Sequence, residues 1–149
     1  MKYLSFLKAN KKHLGDPQGL NEDEITAVEQ AFNVKLPLAY KEFLSVFGKK
    51  RGRILRNYGS EASYLARNKA DALKAFNNVK EKGFTITDSQ LFFGVWQELA
   101  FYFFDCAEGN DDPPVYVFND SGKMEHYKDS FSLLIKDELD AVLKFDKKR

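Results

Sequence analysis

The residue types that can act as nucleophiles or soft metal ligands are few in this chain. Cys106 is the single cysteine, and His13 and His126 are the two histidines. Zinc sites draw Cys and His in close pairs, whereas these histidines are far apart and Cys106 has neither type at ligand spacing. A thiol becomes nucleophilic when its pKa is lowered. Cys106 instead closes the apolar run "LAFYFFDC" (99–106), where burial raises it. The expectation is a surface His13, a strand His126 and an inert, buried Cys106. The loop "DCAEGNDD" (105–112) offers oxygens to calcium but lacks the alternating ligands and terminal glutamate of a helix–loop–helix site, so a solvated loop is expected. No serine stands in a G-x-S-x-G elbow, and no Gly-rich loop opens a helix to cradle phosphate. A carboxylate pair of the hydrolase kind could form, but among 22 acidic residues its possibility is not evidence. The expectation is a protein with no catalytic residues, no metal and no cofactor.

Charge is more informative. The formal net charge is +1, yet residues 49–56, "KKRGRILR", carry five basic groups and no acid. Residues 98–125 carry Glu98, Asp105, Glu108, Asp111, Asp112, Asp120 and Glu125 against Lys123 alone, a local charge of −6. One basic and one acidic patch can thus coexist in a neutral chain, and such patches select partners. The basic run could grip nucleic acid, but no recognition helix or base-stacking motif accompanies it. A solvated loop whose cations suit a preceding helix end is the plainer account.

The elements that must hold these residues follow from periodicity. Residues 2–13 read as a short helix with Tyr3, Leu4 and Leu7 inward. "GDPQG" (15–19) is a loop. Asn21 and Glu24 form a capping box, with Leu20 and Ile25 as the hydrophobic staple of a helix that runs on through Val28 and Phe32. The stretch "NVKLPLAYKEFLSVFG" (33–48) gives a second helix: Pro37 suits the first turn, Leu36, Tyr40, Phe43, Leu44 and Phe47 share a face, and Gly48 can close it left-handed. The two helices form a hairpin. "RILR" (53–56) could be a short edge strand. Residues 61–82 read as a long helix with Ala62, Leu65, Ala66, Leu73, Phe76 and Val79 on one face. The period then changes to two through "FTIT", "LFFGVWQ", "LAFYFFDC", "VYVFN" and "KMEHYK", with "NDSG" (119–122) turning between the last pair. In "LAFYFFDC", Leu99, Phe101 and Phe103 face one way and Tyr102, Phe104 and Cys106 the other. These aromatics are either core or, with Trp96, part of a partner-binding face. Residues 129–145 form the last helix, capped by Asp129 or Ser130, with Lys147, Lys148 and Arg149 beyond its negative end. Consecutive strands without intervening helices give an α+β fold. The expected architecture is a mainly antiparallel, curved sheet of five or six strands, its helices grouped on one face, in a single domain spanning 1–149.

At this length the chain can bury a core without staples, and one cysteine argues weakly for a reducing compartment. "YLSFL" is too short for a signal-peptide core, and no run approaches a membrane span. A cytoplasmic protein is expected.

The segment "EITAVEQAFNVKLPLAYKEFLSVFG" (24–48) resembles the start of SUKH superfamily domains, the group that includes the yeast cell-wall assembly regulators and many bacterial immunity proteins. Glu29, Val34, Leu36, Pro37, Tyr40, Phe43 and Leu44 match the pattern of an inner glutamate, a hydrophobic-x-Leu-Pro joint and an aromatic helix. "YFFDC", "PPVYVFND" and the Ser130-Phe131 helix start extend the resemblance over roughly residues 20–143. It departs at "FGKK" (47–50), where such domains often carry Asn-Gly or Gly-Gly.

The resemblance implies an α+β binding module with no catalytic residues and no cofactor. It implies a bacterial immunity protein that binds and neutralises a cognate toxin domain, frequently a nuclease, of a polymorphic toxin system. A basic nuclease cleft would favour the acidic stretch as the contact, through Glu98, Glu108, Asp111, Asp112, Asp120 and Glu125; an acidic toxin would favour 49–56 instead. No nucleic-acid or membrane partner is expected, and the chain would be a monomer or weak homodimer. The alternatives are a regulatory or scaffolding module without a toxin partner and, behind it, a hydrolase using clustered carboxylates.

Overall fold

A computed structural model describes residues 1–80 and 82–148. Among these residues it has five α-helices, α1 (Phe6–Ala9), α2 (Glu22–Phe32), α3 (Leu38–Phe47), α4 (Leu65–Asn77) and α5 (Phe131–Lys147). Four strands, β1 (Gln90–Trp96), β2 (Ala100–Asp105), β3 (Val115–Asn119) and β4 (Met124–Lys128), form one antiparallel sheet in sequential order. The expected α+β class holds.

The sheet has four strands because two expected runs are not extended. "RILR" is a turn: Ile54 and Leu55 are both buried, and Leu55 takes a left-handed φ of 51° that breaks any strand. "FTIT" is irregular, and Gln90 braces it by accepting from the Thr87 N–H (3.0 Å) and donating to the Thr85 carbonyl (3.3 Å).

The helices lie on both faces of the sheet, not one. Alternating side chains of β1 divide between two cores. Phe92, Phe101, Phe103 and Phe118 pack against Ala72 and Phe76 of α4. Leu91, Phe93, Phe104 and Val115 pack against α3 and α5. An amphipathic sheet normally needs cover on one face only; here apolar runs on both faces demand it on both. The inward face of α4 is Leu65, Asn68 and Ala72, whereas Ala66 and Leu73 point outward. Buried Asn68 is bonded to the Gly59 (3.0 Å) and Phe92 (3.2 Å) carbonyls, which ties α4 to β1. This helix ends at Asn77; Glu81, within the longer expected helix, and Arg149 lie outside the described residues.

The helical hairpin forms as its local signals require. The Asn21 side chain accepts from the Glu24 N–H (2.9 Å), and the Glu24 carboxylate accepts from the Asn21 N–H (3.0 Å). Asn33 closes α2 in a left-handed conformation. Across the Leu-Pro joint, the Glu29 carboxylate accepts from the Leu36 N–H (2.7 Å) and pairs with Lys41 (3.5 Å). Gly48 keeps an ordinary helical φ of −67°, so its left-handed role is not used. It is needed for space, because a Cβ there would stand 2.7 Å from Leu20 Cγ.

Two further carboxylates fasten the ends of the chain. Buried Glu42 accepts from the N–H groups of Lys2, Tyr3 and Leu4 at 3.2, 2.9 and 2.9 Å. Asp146 of α5 receives both guanidinium nitrogens of Arg53 (2.8 and 2.9 Å) and lies 2.6 Å from His13 Nδ1. His13 is therefore not a free surface residue. It is half-buried in a cluster that joins the N-terminal segment, the basic run and the C-terminal helix. Arg53 first, then His13, holds the Asp146 carboxyl well below its usual range.

Two predictions follow from this packing. Tyr40 is fully buried and its hydroxyl has no hydrogen-bond partner among the described residues. Tyr40→Phe should therefore leave the unfolding free energy unchanged or raise it by about 1 kcal/mol, read by urea denaturation. The Asp146 cluster stabilises above the ordinary carboxyl value of 3.8, and that contribution is lost as pH falls below it. The stability gap between wild type and Asp146→Asn should thus be open at neutral pH and narrow in acid.

Candidate partner-binding surface

The acidic stretch is divided by the antiparallel connections. Glu98 lies in the β1–β2 turn and Asp120 in the β3–β4 turn, and the Asp120 N–H bonded to the Leu99 carbonyl (3.1 Å) brings the two turns together. Glu125 stands on β4 opposite Val117, towards the same end. Glu108, Asp111 and Asp112 lie in the β2–β3 connection, at the opposite end of the sheet. At about 3.4 Å per residue, strands of five to seven residues separate the two ends by roughly 20 Å. The six expected contact residues therefore do not form one surface.

The β2–β3 end has structural work. The Asp111 carbonyl accepts from the Ala39 N–H in the first turn of α3 (2.8 Å). The Asp112 carboxylate accepts from the Ser132 N–H (2.8 Å) and Ser132 hydroxyl, and Ser130 caps the same helix by accepting from the Leu133 N–H. Acids here satisfy the unpaired donors of helix α5 and meet its positive end. The Asp111 and Glu108 side chains are exposed, and half-buried Asp105 accepts from the Ala107 N–H (2.9 Å). Cys106 follows β2, and burial pushes its thiol up to about 12, with Asp105 and Glu29 adding to the shift. The thiol is half-buried, not buried as the sequence predicts, and stays protonated at neutral pH. The basic run is largely engaged: Lys49 pairs with Glu24, Lys50 with Asp16, Arg53 with Asp146, and Arg51 bonds the Arg56 carbonyl. Among the described residues, no three His, Cys, Asp or Glu side chains come together as a metal site.

The turn end is different, because apolar side chains are left in solvent there. Trp96, Leu99 and Met124 are 40–46% exposed there, while Tyr127, 40% exposed, lies further along β4 towards the β2–β3 end. The β1–β2 turn, Trp96–Leu99, is closed by the Leu99 N–H on the Trp96 carbonyl (3.0 Å), with Gln97 and Glu98 at φ 51° and 59°. A two-residue hairpin turn of this hand ordinarily takes Asn or Gly. Non-glycine residues here store strain, of order 1 kcal/mol or more each, and strain of this kind clusters at functional sites.

Register places Trp96 on the same face of the sheet as a row of tyrosines, diagonal to Tyr102. Trp96 pairs with Ala100 and Gly94 with Tyr102, and paired residues share a face, so Trp96, Ala100 and Tyr102 lie on the α5 side. Tyr58 joins them from the 53–60 turn, held by the Val95 N–H on its carbonyl (2.8 Å). The strand is irregular between Phe92 and Gly94, and a Cβ at position 94 would stand 3.3 Å from Tyr58 Cβ. Glycine thus lets Tyr58 lie across β1. The rings of Tyr58, Tyr102 and Tyr127 follow one another edge-to-face at 5.4 and 5.1 Å. Glu138 of α5 borders the row; burial raises its pKa, against the pull of Lys128. Sequence reading singled out Trp96 but not Tyr58, Tyr127 or Glu138. The heavy aromatic load, 14 Phe, 7 Tyr and 1 Trp, was the one signal for the tyrosines, and nothing in the sequence pointed to Glu138.

The family model described as SUKH_6, SMI1-KNR4 cell-wall, matches residues 22–135. The chain belongs to this SUKH family. A search of curated proteins returns no match. Among the described residues, no helix is long and apolar enough to cross a membrane.

The two ends of the acidic stretch should respond differently to truncation. Asp112→Ala removes a helix cap and should cost about 1 kcal/mol in denaturant unfolding. Asp111→Ala keeps its carbonyl contact and should fall within about 0.5 kcal/mol of wild type.

Proposed function

We propose that this chain is an immunity protein, which binds a cognate bacterial toxin domain and neutralises it by direct protein–protein contact. It acts by occupancy and not by catalysis. SUKH membership carries the reading, since immunity proteins are among the domains this chain resembles. The exposed apolar and acidic side chains at the turn end, Trp96 among them, support it, because interface centres are enriched in Trp while charge guides encounter. Of the acidic residues, Glu98, Asp120 and Glu125 are the contact candidates at that end. Asp112 is occupied as a helix cap. A nuclease toxin, with its basic cleft, suits such a surface.

The family description also names cell-wall proteins of the SMI1-KNR4 type. That favours, as a second reading, a regulatory module with several weak partners and no toxin.

Survival separates the two. The C-terminal domain of the adjacent large gene product would be expressed in cells with and without this chain. Death without it and growth with it are expected. A triple reversal, Glu98→Lys with Asp120→Lys and Glu125→Lys, should slow association at low salt about tenfold or more. No toxicity, or toxicity the chain does not relieve, would transfer the weight to the regulatory module.

A further inference from the structure

Asn68 of α4 is a buried polar side chain whose bonding the fold leaves incomplete. It is 4% exposed, and its amide nitrogen donates to the Gly59 and Phe92 carbonyls at 3.0 and 3.2 Å. Its Oδ1 accepts from no donor among the described residues. A buried acceptor left bare forfeits hydration for nothing in return, so it calls for an explanation. The side chain is not sealed in. Asn68 lines a cleft of about 250 Å³ between the 53–60 turn, the start of α4 and the β1–β2 turn.

The cleft is open over this side chain because position 59 is glycine. Gly59 has a left-handed φ of 59°, and a Cβ there would stand 3.7 Å from Asn68 Oδ1 and 3.8 Å from Tyr64 Cγ. Glycine thus leaves a gap bordered by a hydrogen-bond acceptor and an aromatic ring. The same cleft is lined by Arg51 and Arg67 and by Asp71 and Glu98, two charges of each sign. These groups do not exhaust one another. Arg67 Nε stands 3.8 Å from Asp71, beyond hydrogen-bond reach, and Arg51 spends one nitrogen on the Arg56 carbonyl. The strained Gln97–Glu98 turn borders the cleft as well.

This lining limits what can fill the gap. Balanced charge favours a neutral ligand over an ion of either sign. Asn68 Oδ1, Asp71 and Glu98 ask for donors, whereas the two arginines ask for acceptors. A hydroxyl meets both demands through one atom, since it donates once and has two lone pairs to accept with. A peptide or a nucleobase carries its donors and acceptors on separate atoms in one plane. Hydroxyls around a saturated ring present both on every side, and the ring itself offers an apolar face to Tyr64. The volume is at the small end for ligand clefts, which suits one such ring and not a long chain.

We propose that this cleft binds a neutral saccharide unit, one hydroxyl donating to Asn68 Oδ1 over Gly59 and its neighbours bridging Arg67 and Asp71. The inference goes beyond the immunity reading and does not depend on it. The survival assay tests immunity with no saccharide added, so either can fail alone.

The experiment records the amide NMR spectrum of the isotope-labelled full chain. Methyl glycosides of glucose, galactose, mannose and N-acetylglucosamine are added in turn, with adenosine and triglycine as comparisons. Saturable shifts of the Asn68 side-chain amide and the Gly59 N–H are expected with at least one glycoside and with neither comparison. Gly59→Asn keeps the left-handed backbone, which asparagine tolerates, and fills the gap. It should weaken binding about tenfold or more, a loss read directly from the titration midpoint. Asp111→Asn, at the far end of the sheet, should leave the midpoint unchanged. Circular dichroism would verify that each variant is folded. No shift with any glycoside, shifts that Gly59→Asn leaves intact, or shifts with adenosine or triglycine in their place would overturn the proposal.

Discussion

The Tyr40 ring is the point on which the packing of this protein turns. It meets Phe43 of its own helix, Phe93 and Phe104 of the sheet and Phe131 at the start of α5, all with centroids between 5.1 and 6.5 Å. Phe131 in turn stands edge-on to Phe43, Phe93 and Phe104. Edge-to-face rings favour particular orientations beyond the area they bury. One cluster thus sets the angle of α3 and the last helix on the sheet. The Leu-Pro joint delivers Tyr40 to that place, and Glu29 fixes the joint by holding the Leu36 N–H.

Once α3 and α5 are fixed, the fate of the acidic stretch is fixed as well. Their first turns converge on the β2–β3 connection, where backbone donors need acceptors. Asp111 supplies a carbonyl and Asp112 a carboxylate, while the Pro113 carbonyl receives the Phe131 N–H (2.8 Å). Negative charge there is explained by helix ends. At the other end of the sheet, Glu98, Asp120 and Glu125 stand in solvent near exposed Trp96, and α4 reaches the β1–β2 turn with Asp71 and Lys74 beside Glu98. The same composition serves helix ends at one end of the sheet and stays in solvent at the other.

The turn end also shows how close packing leaves a surface open. Gly94 and the irregularity before it admit Tyr58 over β1, which covers the outer edge of that strand. Asn68 reaches the Phe92 carbonyl from the opposite face. The β1 edge is thereby protected, whereas β4 relies on its charged residues and on Lys128 bonded to Asp137. Strain in the Gln97–Glu98 turn is tolerated because the paired strands on either side over-determine it.

The sequence by itself determined what depends on neighbours a few residues away. The capping box at Asn21, the break at the Leu-Pro joint, the Ser130 cap, the "NDSG" turn and the extended runs of β1 to β4 are all short-range, and each is present. The family was legible for the same reason, since its pattern lies mostly in the α2–α3 hairpin. What failed was read from single runs: "RILR" and "FTIT" have strand-like composition, but burial of both Ile54 and Leu55 and the Gln90 brace override it. The inward face of α4 was shifted because Asn68, a polar residue, earns its burial only from carbonyls on other elements. The candidate site lay further out of reach. Tyr58, Trp96, Tyr102 and Tyr127 come from a turn and three strands, and only register puts them on one face of the sheet. Charge counted along the chain gave one acidic patch; antiparallel pairing placed its halves at opposite ends, because each reversal of direction carries successive loops to alternate ends of the strands.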